Sequence, residues 1–157
     1  GAAAPEILFE RLGVKPGAPN MFGAVGGEAN AIAPHKRMLS SMTPTIVLKE
    51  DKPFLVTGTP GGTTIPTSVF QTIVNIIDFK LDAEEAVNIP KFHHQWLPDR
   101  IDVEKKFPDS ARLALQNMGY TLSERNSIGR VELIRVLPDG SFEAIADSRG
   151  EDSAEVF

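Results

Sequence analysis

Two short loops hold the residues best suited to chemistry. In Gly58-Thr59-Pro60-Gly61-Gly62-Thr63-Thr64, two adjacent glycines fall between an apolar run and a helical pattern. Without Cβ atoms, successive backbone N–H groups in such a loop can turn toward one point and bind negative charge. No Lys follows the last Gly, as the phosphate loop of a nucleotide site requires, so nucleotide binding is disfavoured. An oxyanion hole, a carboxylate cradle and a tight strand-to-helix turn with no ligand all fit. The second loop, Leu39-Ser40-Ser41-Met42-Thr43-Pro44, sets two adjacent hydroxyls immediately before an apolar strand, where a loop end can present them to a ligand carboxylate. Serines that only close a turn or cap fit the same pattern.

His93-His94-Gln95-Trp96, with Asp99 and Asp102 nearby, invites a metal or triad reading. Adjacent residues in an extended chain point to opposite faces, so the two histidines cannot easily ligate one ion. The chain has neither a His-x-x-x-His helix nor a Gly-x-Ser-x-Gly elbow, and its only other histidine is His35. A core or hydrogen-bonded histidine is therefore the expectation. Asp99, Asp102 and Glu104 read first as the solvated edge of a strand.

The elements that must carry these loops are legible around them. Residues 1–44 are punctuated by Gly and Pro and read as ordered loop. Thr45-Ile46-Val47-Leu48, the polar turn Lys49-Glu50-Asp51-Lys52 and Phe54-Leu55-Val56-Thr57 predict a β-hairpin of near-continuous apolar strands, expected to be buried on both faces. Val69, Phe70, Ile73, Val74 and Ile77 recur at helical spacing after the glycine loop. Asp82 caps a second helix, with Glu85 able to reach back, and Pro90 stops it. Ile101 to Glu104 alternates as a short strand, Asp109 to Met118 is helical with Gly119 as its stop, and Val131 to Ala146 closes as a hairpin around Pro138-Asp139-Gly140. The sum is one mixed α/β domain with helices outside antiparallel hairpins.

Composition narrows the classes. The 157 residues carry a formal net charge of -5 and no Lys/Arg cluster, which argues against a nucleic-acid binder. No apolar run reaches the roughly 18 residues of a membrane span, and the start, Gly1-Ala2-Ala3-Ala4-Pro5, has the features of neither a charged nor an apolar signal region. The absence of cysteine excludes disulfides, thiol nucleophiles and Cys-ligated metals but leaves the compartment open.

Lys36-Arg37-Met38-Leu39-Ser40-Ser41-Met42-Thr43-Pro44-Thr45 resembles the Lys-Arg-Pro-Leu-Ser-Ser-Met-Ser-Pro-Thr signature of gamma-glutamyltransferases, also called glutathione hydrolases. Gly58-Thr59-Pro60-Gly61-Gly62 resembles their Gly-Ser-Pro-Gly-Gly loop, and Pro90-Lys91-Phe92-His93-His94-Gln95-Trp96-Leu97-Pro98-Asp99 is similar to their Pro-Arg-Phe-His-His-Gln-Trp-Leu-Pro-Asp stretch. The likeness runs in order from about Val14 to Val136, so residues 14–157 read as one domain, the C-terminal portion of the family's small subunit, with 1–13 divergent. The resemblance implies an α+β fold, part of the α-β-β-α sandwich of an N-terminal-nucleophile hydrolase, made from a large and a small subunit cut from one precursor. It implies cleavage of γ-glutamyl amides such as glutathione by a threonine at the start of the small subunit, whose own α-amine is the base, with release to water or an acceptor amine. Ser40 and Ser41 would hydrogen-bond the α-carboxylate, and the N–H groups of Gly61 and Gly62 would form the oxyanion hole. The resemblance implies no cofactor, no metal and a structural His-His-Gln-Trp stretch, in a periplasmic or cell-surface protein.

The departures set further expectations. The chain begins at Gly1 rather than the threonine and is expected to be inactive alone, with open sheet edges that favour self-association. Phe9-Glu10-Arg11-Leu12 stands where the family has Met-Asp-Asp-Phe, and Arg11 would repel an ammonium. Asp147-Ser148-Arg149 replaces the usual Asp-Pro-Arg. Two other readings stay open: an acylase of the same fold that cleaves glutaryl-type side chains, against which the Ser40-Ser41 pair weighs, and a non-catalytic anion-binding module.

Overall fold

Strands β1 (Thr45–Lys49) and β2 (Lys52–Gly58) form the expected hairpin in the computed structural model of the chain, which describes residues 17–31, 33–37 and 39–155. Phe9 to Leu12, where Arg11 was expected to oppose a substrate ammonium, lie outside the described residues. Glu50 and Asp51 both adopt positive φ, 52° and 61°, which is the backbone twist that lets a two-residue turn join antiparallel strands. β2 then pairs with β6 (Glu132–Val136), and β6 with β7 (Phe142–Ile145), giving an antiparallel sheet in the order β1-β2-β6-β7.

Helices α1 (Ile65–Ile77) and α2 (Ala83–Asn88) bury the apolar side of this sheet: Leu55, Val131 and Leu133 pack with Ile76, Ala83, Ala86 and Val87. Asp82 caps α2 as expected, its Oδ1 accepting from Glu85 N at 2.7 Å. A second sheet joins β3 (Phe92–His93), β4 (Ile101–Glu104) and β5 (Leu122–Arg125). β4 and β5 are parallel, and α3 (Asp109–Asn117) is the crossover that a parallel pair requires. Gly119, at φ 93°, follows the end of α3 in a conformation costly to residues with a Cβ.

One expectation fails here. β1 and β2 are covered on one face, not both: Ile46, Val56 and Ile134, aligned across three strands, are 64%, 39% and 43% exposed. Both α1 and α2 pack on the opposite side, so the pleat directs these residues away from the core. Ser153 to Glu155 line a shallow hollow beside Val56, Ile134 and Ala144.

Candidate functional site

The hairpin fixes where the two chemical loops emerge. Thr45 pairs with Thr57, so the segment entering β1, with Ser40 and Ser41, and the segment leaving β2, with Gly61 and Gly62, leave the same end of the sheet. Gly61 has φ 143° and Gly62 φ 61°, conformations open to glycine but unfavourable for other residues. A Cβ on Gly61 would lie 2.5 Å from Thr64 Oγ1, and one on Gly62 would enter the ring of Phe22. The Gly61 carbonyl is occupied, accepting from Thr64 N at 3.2 Å and Thr64 Oγ1 at 2.9 Å. The N–H groups of Gly61 and Gly62, by contrast, find no acceptor among the described residues. They stand at the start of the short 3-10 turn Gly62–Thr64 and ahead of α1, where the helix dipole adds positive potential.

Phe22 reaches Gly62 from a loop held by its own hydrogen bonds. Asn20 Oδ1 accepts from Phe22 N at 2.9 Å and Ala24 N at 3.0 Å, and Gly17 N donates to Gly26 O at 2.8 Å. Ser40 Oγ accepts from Met42 N at 3.2 Å, and the Ser41 carbonyl accepts from Thr43 Oγ1 at 3.0 Å. The serine pair thus shapes the turn into β1. The Ser41 hydroxyl has no partner among the described residues, and neither serine lines the cleft that Gly61 borders.

That cleft, about 460 Å³, lies against Phe22, Gly61, His93, Arg100, Asp102 and Arg125. His93 is buried and hydrogen-bonded, as expected: Nδ1 is 2.8 Å from Thr67 Oγ1 and Nε2 is 2.9 Å from Gln95 Oε1. Gln95 Oε1 can only accept, so Nε2 donates to it. Gln95 Nε2 in turn donates to Leu97 O at 3.0 Å and Phe22 O at 3.4 Å, so this chain of polar contacts ties the first turn of α1 to the Phe22 loop. His94 turns away, toward exposed Asp99 at 3.3 Å. No group of three His, Cys, Asp or Glu side chains suited to a metal ion occurs among the described residues.

A family model described as gamma-glutamyltranspeptidase matches residues 8–157. The chain belongs to the gamma-glutamyltranspeptidase family. It is 51% identical over 145 residues to the glutathione hydrolase proenzyme of Escherichia coli (strain K12), covering 92% of this chain and 25% of that protein. Among solved structures, the T380A mutant of Helicobacter pylori gamma-glutamyltranspeptidase superposes with a TM-score of 0.86 at 47% identity, over 90% of this chain and 78% of the other. The Pseudomonas nitroreducens gamma-glutamyltranspeptidase complexed with L-DON gives 0.87 at 42% identity, over 95% and 79%. The chain spans about a quarter of the length of the curated relatives it matches. Its mixed α/β fold is the corresponding part of the N-terminal-nucleophile hydrolase architecture.

The gamma-glutamyltranspeptidase pattern also frames a buried cluster that sequence reasoning missed. Glu104 and Asp102, read as a solvated edge, are 5% and 8% exposed. The neutralising partner of Glu104 comes from a distant part of the chain. Arg149 Nε donates to Glu104 Oε1 and Nη2 to Oε2, both at 2.6 Å, while Nη1 meets Asp147 Oδ1 at 2.9 Å. The same guanidinium donates to the carbonyls of Val87, Asn88 and Ile89, which closes the C-terminal end of α2. Glu104 accepts further from Lys91 N and Ile128 N, each at 2.8 Å. These bonds outweigh burial and hold its carboxyl below the usual range. Asp147 and Arg149 flank Ser148, where the family pattern has Pro, and both are engaged in the cluster.

Lys91 stands where the family pattern has Arg and is fully buried. Its ammonium donates to Val87 O and lies 4.0 Å from Asp147 Oδ2. Burial, reinforced by Arg149, lowers its pKa to about 8, against the opposing pull of Asp147 and Glu104. The folded chain therefore binds fewer protons than the unfolded one between pH 8 and 10.5, and Lys91 adds stability as pH rises through that window. In urea unfolding at pH 8 and pH 10, the wild type should gain stability relative to Lys91→Met on raising the pH. A constant difference between the two proteins would contradict this.

Proposed function

We propose that the protein carrying this chain hydrolyses γ-glutamyl amides such as glutathione and also transfers the γ-glutamyl group to acceptor amines. The observation that carries the reading is the pair of N–H groups of Gly61 and Gly62 ahead of α1, without an acceptor among the described residues. They would receive the oxygen of the γ-carbonyl as it becomes an oxyanion. The nucleophile is a threonine upstream of this chain: its hydroxyl oxygen bonds to the carbonyl carbon while its α-amine takes the proton. Collapse of the intermediate breaks the C–N bond, and the departing amine leaves with that proton. Water or an acceptor amine then attacks the resulting ester.

Ser40 and Ser41 would bind the α-carboxylate. The supporting facts are the Ser41 hydroxyl, without a partner among the described residues, and the hairpin pairing that sends both loops from one end of the sheet. The bare apolar face around Ile46, Val56 and Ile134 would pack against the rest of the longer protein, including its large subunit. A periplasmic or cell-surface location rests on the family resemblance.

The test is γ-glutamyl-p-nitroanilide hydrolysis by the full-length processed protein and, beside it, by the chain alone. Activity is expected only in the former, and an inactive processed protein would sink the proposal. In the active protein, Ser41→Ala should raise KM about ten-fold, from loss of a hydrogen bond to a charged group worth about 1.5 kcal/mol. An unchanged KM would remove Ser41 from the site.

A further inference from the structure

The wall of the cleft holds a second device with no part in the oxyanion chemistry. Asp102, nearly buried on β4, uses each carboxylate oxygen on a different arginine: Oδ1 accepts from Arg100 Nε at 2.9 Å, and Oδ2 from Arg125 Nη1 at 3.3 Å. Arg100 immediately precedes β4, and the parallel pairing of β4 with β5 brings Arg125 alongside, so both guanidiniums reach one carboxylate. One negative charge thus orients two positive ones and leaves a net positive charge. Both arginines stay roughly half exposed, with side-chain exposures of 47% and 44%. The Nη groups of Arg100, and Nε and Nη2 of Arg125, have no acceptor among the described residues. The cleft's other carboxylate, Glu124, is engaged by Arg112 Nη2 at 3.3 Å.

Arg100, Asp102 and Arg125 line the same cleft that Gly61 borders. A cleft of about 460 Å³ is in the size range of small-molecule sites. We propose that this cleft receives the amine half of the γ-glutamyl reaction, the peptide that leaves or accepts, and that Arg100 and Arg125 bind its C-terminal carboxylate. This deepens the proposed function and rests on it. Two guanidinium forks match a carboxylate by charge and by planar geometry. The amine half of glutathione, cysteinylglycine, ends in such a carboxylate. Asp102 acts as a positioning residue, setting the angle at which the two forks present their free edges.

The experiment compares glycylglycine with glycylglycinamide as acceptors, in the full-length processed protein with γ-glutamyl-p-nitroanilide as donor. The two acceptors differ in the terminal carboxylate, and their ratio is read within one enzyme sample, so any loss of folded protein cancels. The wild type should favour glycylglycine by at least about ten-fold in KM, as expected for charge-assisted hydrogen bonds. In the double variant Arg100→Gln/Arg125→Gln the ratio should fall to near one, and Arg125→Lys should retain part of it. A wild type indifferent to the carboxylate, or a double variant that keeps the full preference, overturns the subsite while leaving the γ-glutamyl activity standing. A wild type that releases no p-nitroaniline overturns the activity and the subsite together.

Discussion

Gly62→Ala is expected to lower the turnover of γ-glutamyl-p-nitroanilide by the full-length processed protein on the order of 100-fold, with little change in KM. At φ 61° an alanine sits in the left-handed region, at a cost of about 1–2 kcal/mol, and its Cβ would enter the Phe22 ring. Relief requires the loop to rotate, which swings the Gly61 and Gly62 N–H groups off the oxyanion position. The developing charge exists only in the transition state, so the loss should appear in kcat. The steric half of the argument has its own check: Phe22→Ala in the Gly62→Ala background opens space for the new methyl and should restore part of the turnover. If the single variant keeps wild-type kcat, the glycine loop does not hold the oxyanion.

Arg149→Ala should destabilise the fold by about 3–5 kcal/mol, because it strips the counter-charge from buried Glu104, leaves Asp147 with Lys91 alone, and removes the side-chain donor from the carbonyls of Asn88 and Ile89 at the end of α2. Urea unfolding of the protein measures it, through the midpoint at constant slope. Arg149→Lys should recover little, since one ammonium cannot replace a fork that bonds both Glu104 oxygens and the Asp147 carboxylate. A loss under about 1 kcal/mol would mean the cluster is no more than a surface pair. Acid should mimic the substitution: the Glu104 carboxyl is held below its ordinary pKa, so the stability it contributes is lost as pH falls through that lowered value.

What the sequence made legible was local. The β1/β2 hairpin, the Asp82 cap and the stop at Gly119 each depend on residues a few positions apart, and each is present. The hydrogen-bonded role of His93 followed from the alternation of a strand. Burial of Glu104 was misread because its neutralising group is remote, Arg149 being 45 residues beyond it, and Asp102 combines neighbouring Arg100 with an arginine on β5, Arg125. No short-range pattern encodes such a pairing. The two-sided burial expected for β1 and β2 failed for a related reason. A continuous apolar run records that a strand can be covered on both faces, whereas Ile46 and Val56 point away from the helices that follow in this chain. For the site, adjacent glycines and serines were readable as types. The Phe22 ring over Gly62 and the Arg100/Asp102/Arg125 arrangement needed the third dimension.

The β1/β2 hairpin has a practical consequence for engineering. Its Thr45–Thr57 end emits both chemical loops, while its Lys49–Lys52 end is an exposed turn with a register shift between Val47 and Leu48 just behind it. Residues added between Glu50 and Asp51 would be absorbed at that turn and that irregularity, several rungs of the ladder from the serines and glycines. The turn is therefore the natural place to insert a tag, a linker or a reporter domain, and the spacing of the two loops, set across one strand-to-strand step of roughly 4.8 Å, would be inherited unchanged.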